Sequence, residues 1–191
     1  MRARGARKQE ILDAVVEHIL ANSVANLSLR TVAAASGTRA RLLIYHFGSK
    51  ERLVAEAMSA LRGRIQASFN QMTGGRTDSP GGIMRTFWKW ATQRSNAHVL
   101  RVFFEVHILA LSGSGPYAGY MKESVASWGK LVEASIPPHA GRARRQALAR
   151  LVVDAFDGML LDFLSTGERR RIEEALEIFA VEIDRLAMEG K

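Results

Sequence analysis

Helical periodicity constrains the fold of this chain more than any other feature. Apolar residues recur at intervals of three and four through most of the sequence, as they do along residues 11–20 and 148–163, and this spacing puts them on one face of an α-helix. Gly and Pro separate the periodic stretches, and no stretch alternates as a β-strand does. We therefore predict an all-α fold of about nine helices. The later helices are expected near residues 80–94, 97–111, 117–135, 142–165 and 168–188.

Cap and turn signals in the first 50 residues predict three helices followed by a longer one. After an amphipathic first helix, Ser28 has the position of an N-cap for a short second helix that ends near Ser36. Gly37 is expected to adopt the left-handed conformation that lets the chain turn sharply. A third helix over residues 38–46 follows, and Ser49 caps the long fourth helix. Two short helices joined by a glycine turn form a helix-turn-helix.

The charge of the chain favours an anionic partner. It carries 27 Lys and Arg against 19 Asp and Glu, which gives a net charge of +8. Residues 1–52 hold nine basic and four acidic side chains, so a charge of +5 falls in about a quarter of the chain. Such an asymmetry is typical of proteins that bind nucleic acid.

The absence of Cys excludes disulfides, zinc sites with thiolate ligands and cysteine nucleophiles. The basic N-terminus leads into an amphipathic segment that is unlike a secretory signal. The most apolar stretch, residues 99–111, contains Arg101, Glu105 and His107 and is too short to span a bilayer. We therefore expect a cytoplasmic, nucleoid-associated protein with no membrane partner.

Two short strings in the N-terminal quarter carry a family resemblance. Residues 43–51 read Leu-Ile-Tyr-His-Phe-Gly-Ser-Lys-Glu, and residues 27–33 read Leu-Ser-Leu-Arg-Thr-Val-Ala. Together with the turn at Ser36 and Gly37, this part of the chain resembles the DNA-binding domain of the TetR family of transcriptional regulators. The resemblance implies a dimeric regulator, most often a repressor, that binds a near-palindromic operator in double-stranded DNA and responds to a small molecule.

The third helix is expected to lie in the major groove, as the second helix of a helix-turn-helix does. The chain has Arg39, Arg41 and Leu42 where the family usually has a small cap, a Gly and a Thr, so an operator sequence cannot be transferred. Either Arg could donate two hydrogen bonds to one guanine, or could bind phosphate or water instead. Arg30 matches a position that the family commonly uses for DNA contact, although a solvated surface Arg fits it as well.

Further DNA contacts are expected at the sugar-phosphate backbone. Tyr45 and His46 could donate hydrogen bonds there, while His46 could instead satisfy a local carbonyl. Lys50 lies in the first turn of the fourth helix, where backbone N–H groups and the helix dipole favour a phosphate. The predicted DNA-binding residues are therefore Arg30, Arg39, Ala40, Arg41, Ile44, Tyr45, His46 and Lys50. A basic arm of Arg2, Arg4 and Arg7 either follows the minor groove or raises non-specific affinity.

Two apolar stripes near the C-terminus fit a helix pair that could form a four-helix seam between two subunits. Packing inside the monomer is the alternative. Gly158 would let a second backbone approach closely. The predicted dimer-interface residues are Leu151, Ala155, Gly158, Met159, Phe163, Leu176, Phe179 and Ile183. We assign residues 1–48 to DNA binding and residues 49–191 to effector binding and dimerisation.

Aromatic side chains concentrate between residues 83 and 128, which hold all three Trp. Such a cluster can line a pocket for a small, largely apolar effector, or it can be ordinary core. The predicted ligand-binding residues are Met84, Phe87, Trp88, Phe103, His107, Tyr120 and Trp128. The long fourth helix would connect such a pocket to the DNA. His98 and His107 are nine residues apart, which is no helical spacing for metal ligands, and no cofactor is indicated.

Other functional classes stay open at this point. An enzyme is disfavoured because the sequence shows no nucleophile–base pair, phosphate loop or metal cluster, and Asp154, Asp157 and Asp162 fit a solvated helix face. A DNA-binding protein without an effector and a transcriptional activator are the remaining alternatives. Architectural DNA binding would show little preference between an operator and random duplex.

Overall fold

A computed structural model describes residues 2–72, 79–111, 113 and 115–189. Every regular element in these ranges is helical, which confirms the predicted all-α class. Short 3-10 helices lie at Arg94–Asn96 and Pro138–Ala140. The nine α-helices within the described residues are α1 (Arg2–Asn22), α2 (Leu29–Ala35), α3 (Ala40–Phe47), α4 (Lys50–Met72), α5 (Pro80–Ala91), α6 (Ala97–Ala110), α7 (Gly115–Glu133), α8 (Arg142–Thr166) and α9 (Arg169–Met188).

Several helix boundaries differ from the predicted ones by two or three residues. The helix expected over 80–94 ends at Ala91, where polar side chains as well as backbone N–H groups bond to its last carbonyls. The Thr92 hydroxyl donates to the Trp88 carbonyl at 2.8 Å, and the Asn96 amide donates to the Trp90 carbonyl at 2.7 Å. The helix expected from residue 117 already begins at Gly115, whose φ of +79° reverses the chain just before it.

The chain divides into two compact units. Unit 1 comprises Met1–Ala67 and His98–Ser124, and unit 2 comprises Ser68–Ala97 and Val125–Lys191. The predicted boundary between residues 48 and 49 divides the chain by function, at the end of the helix-turn-helix, and differs from this division by packing. It stays a prediction. No helix within the described residues is long and apolar enough to cross a membrane.

The core of unit 1 forms around the N-terminal helices. Ile11, Val15, Leu43 and Leu53 are fully buried there, and α2 packs on both α1 and α3. Burial of such side chains from several helices stabilises the helix-turn-helix, because short helices are marginal on their own.

A carboxylate on α6 holds the turn that precedes α2. The Glu105 carboxylate accepts hydrogen bonds from the Ser23 hydroxyl and the Val24 backbone N–H, both at 2.8 Å. Ser23 has a φ of +70°, which is uncommon for a residue other than Gly. Glu105 therefore satisfies two donors at this strained position and ties α6 to the segment that leads into α2.

Unit 2 is built on α5, α8 and α9, with α9 packed on both other helices. Phe156 and Leu160 of α8 and Leu176 and Ile183 of α9 are buried in its core. Polar contacts join α5 to α9 at the surface: the Arg85 guanidinium donates to both oxygens of Glu177, at 2.8 and 2.7 Å. This bidentate pair links the two helices at the surface.

Candidate nucleic-acid interface

Helix α3 presents a continuous outward face. Leu43 and Phe47 lie one turn apart and are buried. On the opposite side, Arg41 is exposed, and Ile44 and Tyr45 keep 40% and 64% of their surface accessible. An apolar residue and an aromatic residue exposed beside an Arg suit contact with base edges and backbone better than contact with water alone.

The third helix begins at Ala40, two residues later than predicted. Arg39 is its N-cap, with an extended backbone (φ −109°, ψ 145°) and no side-chain hydrogen bond to the helix. The Thr38 N–H instead donates to the Ala33 carbonyl at 2.9 Å, which keeps Thr38 in the turn. Arg39 therefore stands at the entrance of α3, and Ala40, half-buried, is its first residue.

The turn between α2 and α3 is held from α1. Gly37 has a φ of +58°, as predicted. The Arg7 guanidinium donates to the carbonyls of Ser36 and Gly37, at 3.4 and 3.3 Å, and pairs with Glu10 at 2.9 Å. Arg7 thus also supports the turn, and a role of the basic arm in DNA binding stays a prediction. The side chains of Arg2 and Arg4 lie outside the described residues.

Three Arg side chains around the turn are exposed to solvent. Ser28 caps α2 as predicted, accepting from the Thr31 N–H, and this leaves Arg30 exposed in the first turn. Arg30, Arg39 and Arg41 form no ion pair with any carboxylate of the described residues, in contrast to most of the other Arg side chains. The positive charge of the turn is therefore available to a polyanion.

The start of α4 carries the cationic Lys50, but other groups already bond to part of its helix N-terminus. Gly48 has a φ of +81°, and the Ser49 hydroxyl oxygen accepts the Arg52 N–H at 3.2 Å, as an N-cap does. The pKa of Glu51 lies below its usual value because its carboxylate accepts its own backbone N–H and the Ser49 hydroxyl. These groups already occupy part of the helix N-terminus, and phosphate contact by the half-buried Lys50 stays a prediction.

His46 and Lys8 differ in what they offer to DNA. His46 is half-buried, and its ring stands edge-on to Tyr45, with centroids 5.4 Å apart. Lys8 pairs with Glu56 at 2.6 Å and lies 5.0 Å from the centroid of the Phe47 ring. Lys8 therefore stabilises the domain, whereas His46 stays a candidate for backbone contact.

The predicted ligand-binding residues fall into both units. In unit 2, Met84 and Trp88 are buried, and the Trp88 indole donates to Glu173 at 3.0 Å. Phe87 is the centre of an aromatic cluster, 5.0 Å from both Trp90 and Trp128 between ring centroids. These contacts form a well-packed aromatic core in unit 2. A role of these residues in ligand binding stays a prediction.

The predicted members in unit 1 have a more polar environment. Phe103 packs edge-on against His107, with centroids 4.6 Å apart. Burial lowers the pKa of His107, and its Nδ1 is buried without a hydrogen-bond partner in the described part of the chain. Tyr120 is 4% exposed. The buried Nδ1 of His107 is a polar atom that could orient a polar ligand.

Two polar residues of unit 1 were not among the predicted ligand-binding residues. Arg62 and Ser124 each bury a polar side-chain atom that has no partner among the described residues. Arg62 occupies a position on the apolar stripe of α4, four residues after Met58 and three before Ile65. A charged residue on such a stripe is the signal that could have identified it.

The predicted dimer interface also needs revision. Leu176 and Ile183 are 4% and 1% exposed within a single chain, so they belong to the core of unit 2. Ala155, Met159, Phe163 and Phe179 are half-buried. The predicted residues that present much surface are Leu151, 47% exposed, and Gly158, beside which an added Cβ would meet nothing within 4 Å.

Other apolar side chains of α8 and α9 share this exposure. Leu161 is 49% exposed, Ile178 73% and Val181 57%.

One carboxylate of α8 differs from its prediction. Asp157 is partly buried and does not lie on the solvated face expected from the sequence. This burial and the nearby Asp154 raise the pKa of Asp157 to about 7.

Comparison with known proteins identifies the N-terminal segment. Residues 11–57 match the sequence profile of the bacterial regulatory proteins of the tetR family. The match covers α2 and α3 in full, together with the second half of α1 and the first two turns of α4. No curated protein sequence matches the chain at a significant level.

Solved structures share the fold over nearly the whole chain. A transcriptional regulator from Rhodococcus sp. Rha1 is 17% identical, with 92% of this chain and 95% of the other aligned at a TM-score of 0.72. A TetR transcription regulator from Haloarcula marismortui ATCC 43049 is 14% identical, with coverages of 95% and 97% and a TM-score of 0.72. The multidrug binding protein EbrR, in complex with ethidium, is 24% identical, with coverages of 94% and 98% and a TM-score of 0.72.

Proposed function

We propose that this protein, whose N-terminal segment is a DNA-binding domain of the tetR family of bacterial regulatory proteins, is a transcriptional regulator that binds a specific operator. One observation carries the proposal: the outward face of α3 combines Arg41 with Ile44 and Tyr45, at a helix entrance where Arg39 is also unpaired with any described carboxylate. A helix with such a face can read bases in the major groove.

The contacts divide into two kinds. The Arg41 guanidinium donates to O6 and N7 of a guanine, and the exposed Ile44 side chain suits the methyl group of a thymine. Tyr45, His46, Lys50 and Arg30 contact phosphates beside the groove and set the register of α3 without reading sequence.

The regulator acts as a homodimer through the outer faces of α8 and α9. Leu151 and Leu161 on α8 and Ile178 and Val181 on α9 expose apolar surface that a second copy would bury. Gly158 lies between the two Leu residues and permits close approach of the partner helix. A two-fold axis through this seam requires the same patch on both subunits and favours a near-palindromic operator.

Substitution of Ile178 by Glu tests the seam. In the dimer this change would bury unpaired carboxylates near the two-fold axis, which is costly, whereas in a monomer the side chain would face water. We expect light scattering to give the mass of a dimer for the unchanged protein and of a monomer for Ile178→Glu. Ile108→Glu is a matched control, because Ile108 is 67% exposed on α6, and it should leave the dimer intact. A monomeric unchanged protein, or dissociation by both substitutions, would contradict the assignment.

A small effector controls the affinity for DNA. The similar EbrR structures contain ethidium, proflavin and imidazole, which supports a small-molecule site in this chain as well. A ligand that prefers a conformation with poorly spaced recognition helices lowers operator affinity through population shift. Coupling of about 1–3 kcal/mol is typical of such regulation. Repression is the direction we propose, since release of DNA by an effector then turns the target gene on.

Selection of bound duplexes from a random pool tests the proposed function directly. We expect rapid enrichment of one near-palindromic sequence, with half-sites about one helical turn apart, bound roughly 10³-fold or more tightly than a scrambled duplex at physiological salt. If every selected duplex binds no better than scrambled DNA, the protein is an architectural or non-specific binder.

A further inference from the structure

A half-buried arginine on α4 has an unsatisfied donor. The Nη1 group of Arg62 is buried and has no hydrogen-bond partner in the ranges that the structure describes. The guanidinium lies over the ring of Tyr120, with its central carbon 5.4 Å from the ring centroid. Arg cannot lose its proton in a protein, and burial of an unpaired charge is costly. Such a group is expected to have an anionic partner.

A second unsatisfied polar group lies on the same side of α7 as Tyr120. Ser124 follows Tyr120 by four residues, one helical turn, and is 1% exposed. Its hydroxyl is also without a partner among the described residues. A Ser in a helix usually donates to the carbonyl four residues before it, so an unpaired hydroxyl at this depth is a further sign of a polar ligand group.

No carboxylate of the described residues forms an ion pair with Arg62. Two residues further along α4, Arg64 pairs with Asp13 and lies near Glu17. The two arginines therefore differ: Arg64 is a structural cation that links α4 to α1, whereas Arg62 is not paired with any carboxylate of the described residues.

We propose that Arg62, with Tyr120 and Ser124, binds the carboxylate of the effector. The guanidinium fork and the hydroxyl donate to the carboxylate oxygens, and the Tyr120 ring contacts the apolar body of the molecule. A single guanidinium balances the single charge of a carboxylate, whereas a phosphate monoester carries nearly two charges. This inference rests on the proposed small-molecule control and narrows it to an organic acid. Ethidium and proflavin, the cations found with EbrR, are the opposite class.

Three probes with one ring system and different charges test the assignment on the full chain. They are 2-naphthoate, 2-naphthalenemethanol and 2-naphthylmethylammonium, with binding followed by calorimetry. We expect 2-naphthoate to bind roughly 10- to 100-fold more tightly than the alcohol, the range of a charge-assisted hydrogen bond, and the ammonium to bind least. Arg62→Met keeps the length of the side chain and should remove the preference for 2-naphthoate while leaving the affinity for the alcohol unchanged.

Arg64→Met is the matched control, because it removes the same charge from the same helix and should keep the preference. The proposal would be overturned by equal affinity for the acid and the alcohol, or by preference for the ammonium. It would also be overturned if the preference for 2-naphthoate survives Arg62→Met. Failure of all three probes to bind at millimolar concentration counts against it as well.

The thermal midpoint without any probe gives an independent measurement. If Arg62 has no partner in the free protein, Arg62→Met and Ser124→Ala should melt at or above the midpoint of the unchanged protein. A midpoint several degrees lower for both would reveal a structural role and overturn the assignment. Neither measurement uses DNA. If the protein selects no operator but prefers 2-naphthoate, the proposed DNA binding is contradicted and the assignment of Arg62 to the effector is not.

Discussion

Substitution of Arg41 by Ala should lower the affinity for the selected operator by roughly 5- to 150-fold for each half-site, the equivalent of 1–3 kcal/mol for a bidentate contact with guanine. Arg41 lies in the first turn of α3, is exposed and forms no ion pair with a described carboxylate, so the change removes little that stabilises the fold. The loss should be confined to operators with the preferred base at one position of the half-site. Binding titrations with a panel of single-base variants measure it.

Lys50→Ala is the matched comparison, because Lys50 is predicted to bind phosphate rather than a base. It should weaken binding to all duplexes alike and reduce the salt dependence of the affinity by about one unit per subunit. Arg41→Ala should instead make the variant duplexes nearly equal. If both substitutions have the same effect on the base preference, the division into a base-reading and a phosphate-binding residue is wrong.

Local signals in the sequence predicted the helix-turn-helix well. The Ser28 and Ser49 caps and the left-handed Gly37 all occur where expected. Each depends on contacts within four residues, which a sequence displays directly. The start of α3 was predicted two residues early because the Thr38 N–H bonds back to the Ala33 carbonyl as part of the C-cap of α2 at Gly37, and this local bond keeps Thr38 out of α3.

Longer-range features could not be predicted from periodicity. A helical stripe shows that one face is apolar but does not show whether it meets its own chain or a partner. Leu176 and Ile183 therefore looked like interface residues, yet they are buried inside unit 2. Arg7 was assigned to the basic arm, and its hydrogen bonds to two carbonyls of the turn were not predicted. Contacts across about 30 residues or more decide both cases, and a single sequence does not record them.

The close packing of α5 on α9 leaves no room for a side chain at Gly81. An added Cβ would overlap the Ala180 carbonyl oxygen and lie 2.6 Å from Oδ2 of Asp184. The Gly81 N–H also donates to Oδ1 of Asp184 at 2.7 Å, and Arg85 pairs with the same carboxylate at 3.5 Å. The backbone carbonyl cannot move aside as a flexible side chain can, so any larger residue must push α5 away from α9.

We expect Gly81→Ala to lower the free energy of unfolding by about 1–3 kcal/mol, the usual cost of overpacking, although Ala is the better helix former. For a chain of this size, each kcal/mol corresponds to a fall of about 2–4 °C in the thermal midpoint. Gly129→Ala is the matched control, since it lies inside α7 with nothing within 4 Å of the added Cβ. It should gain up to about 1 kcal/mol. If Gly81→Ala melts with or above the control, α5 and α9 do not approach each other as closely as described.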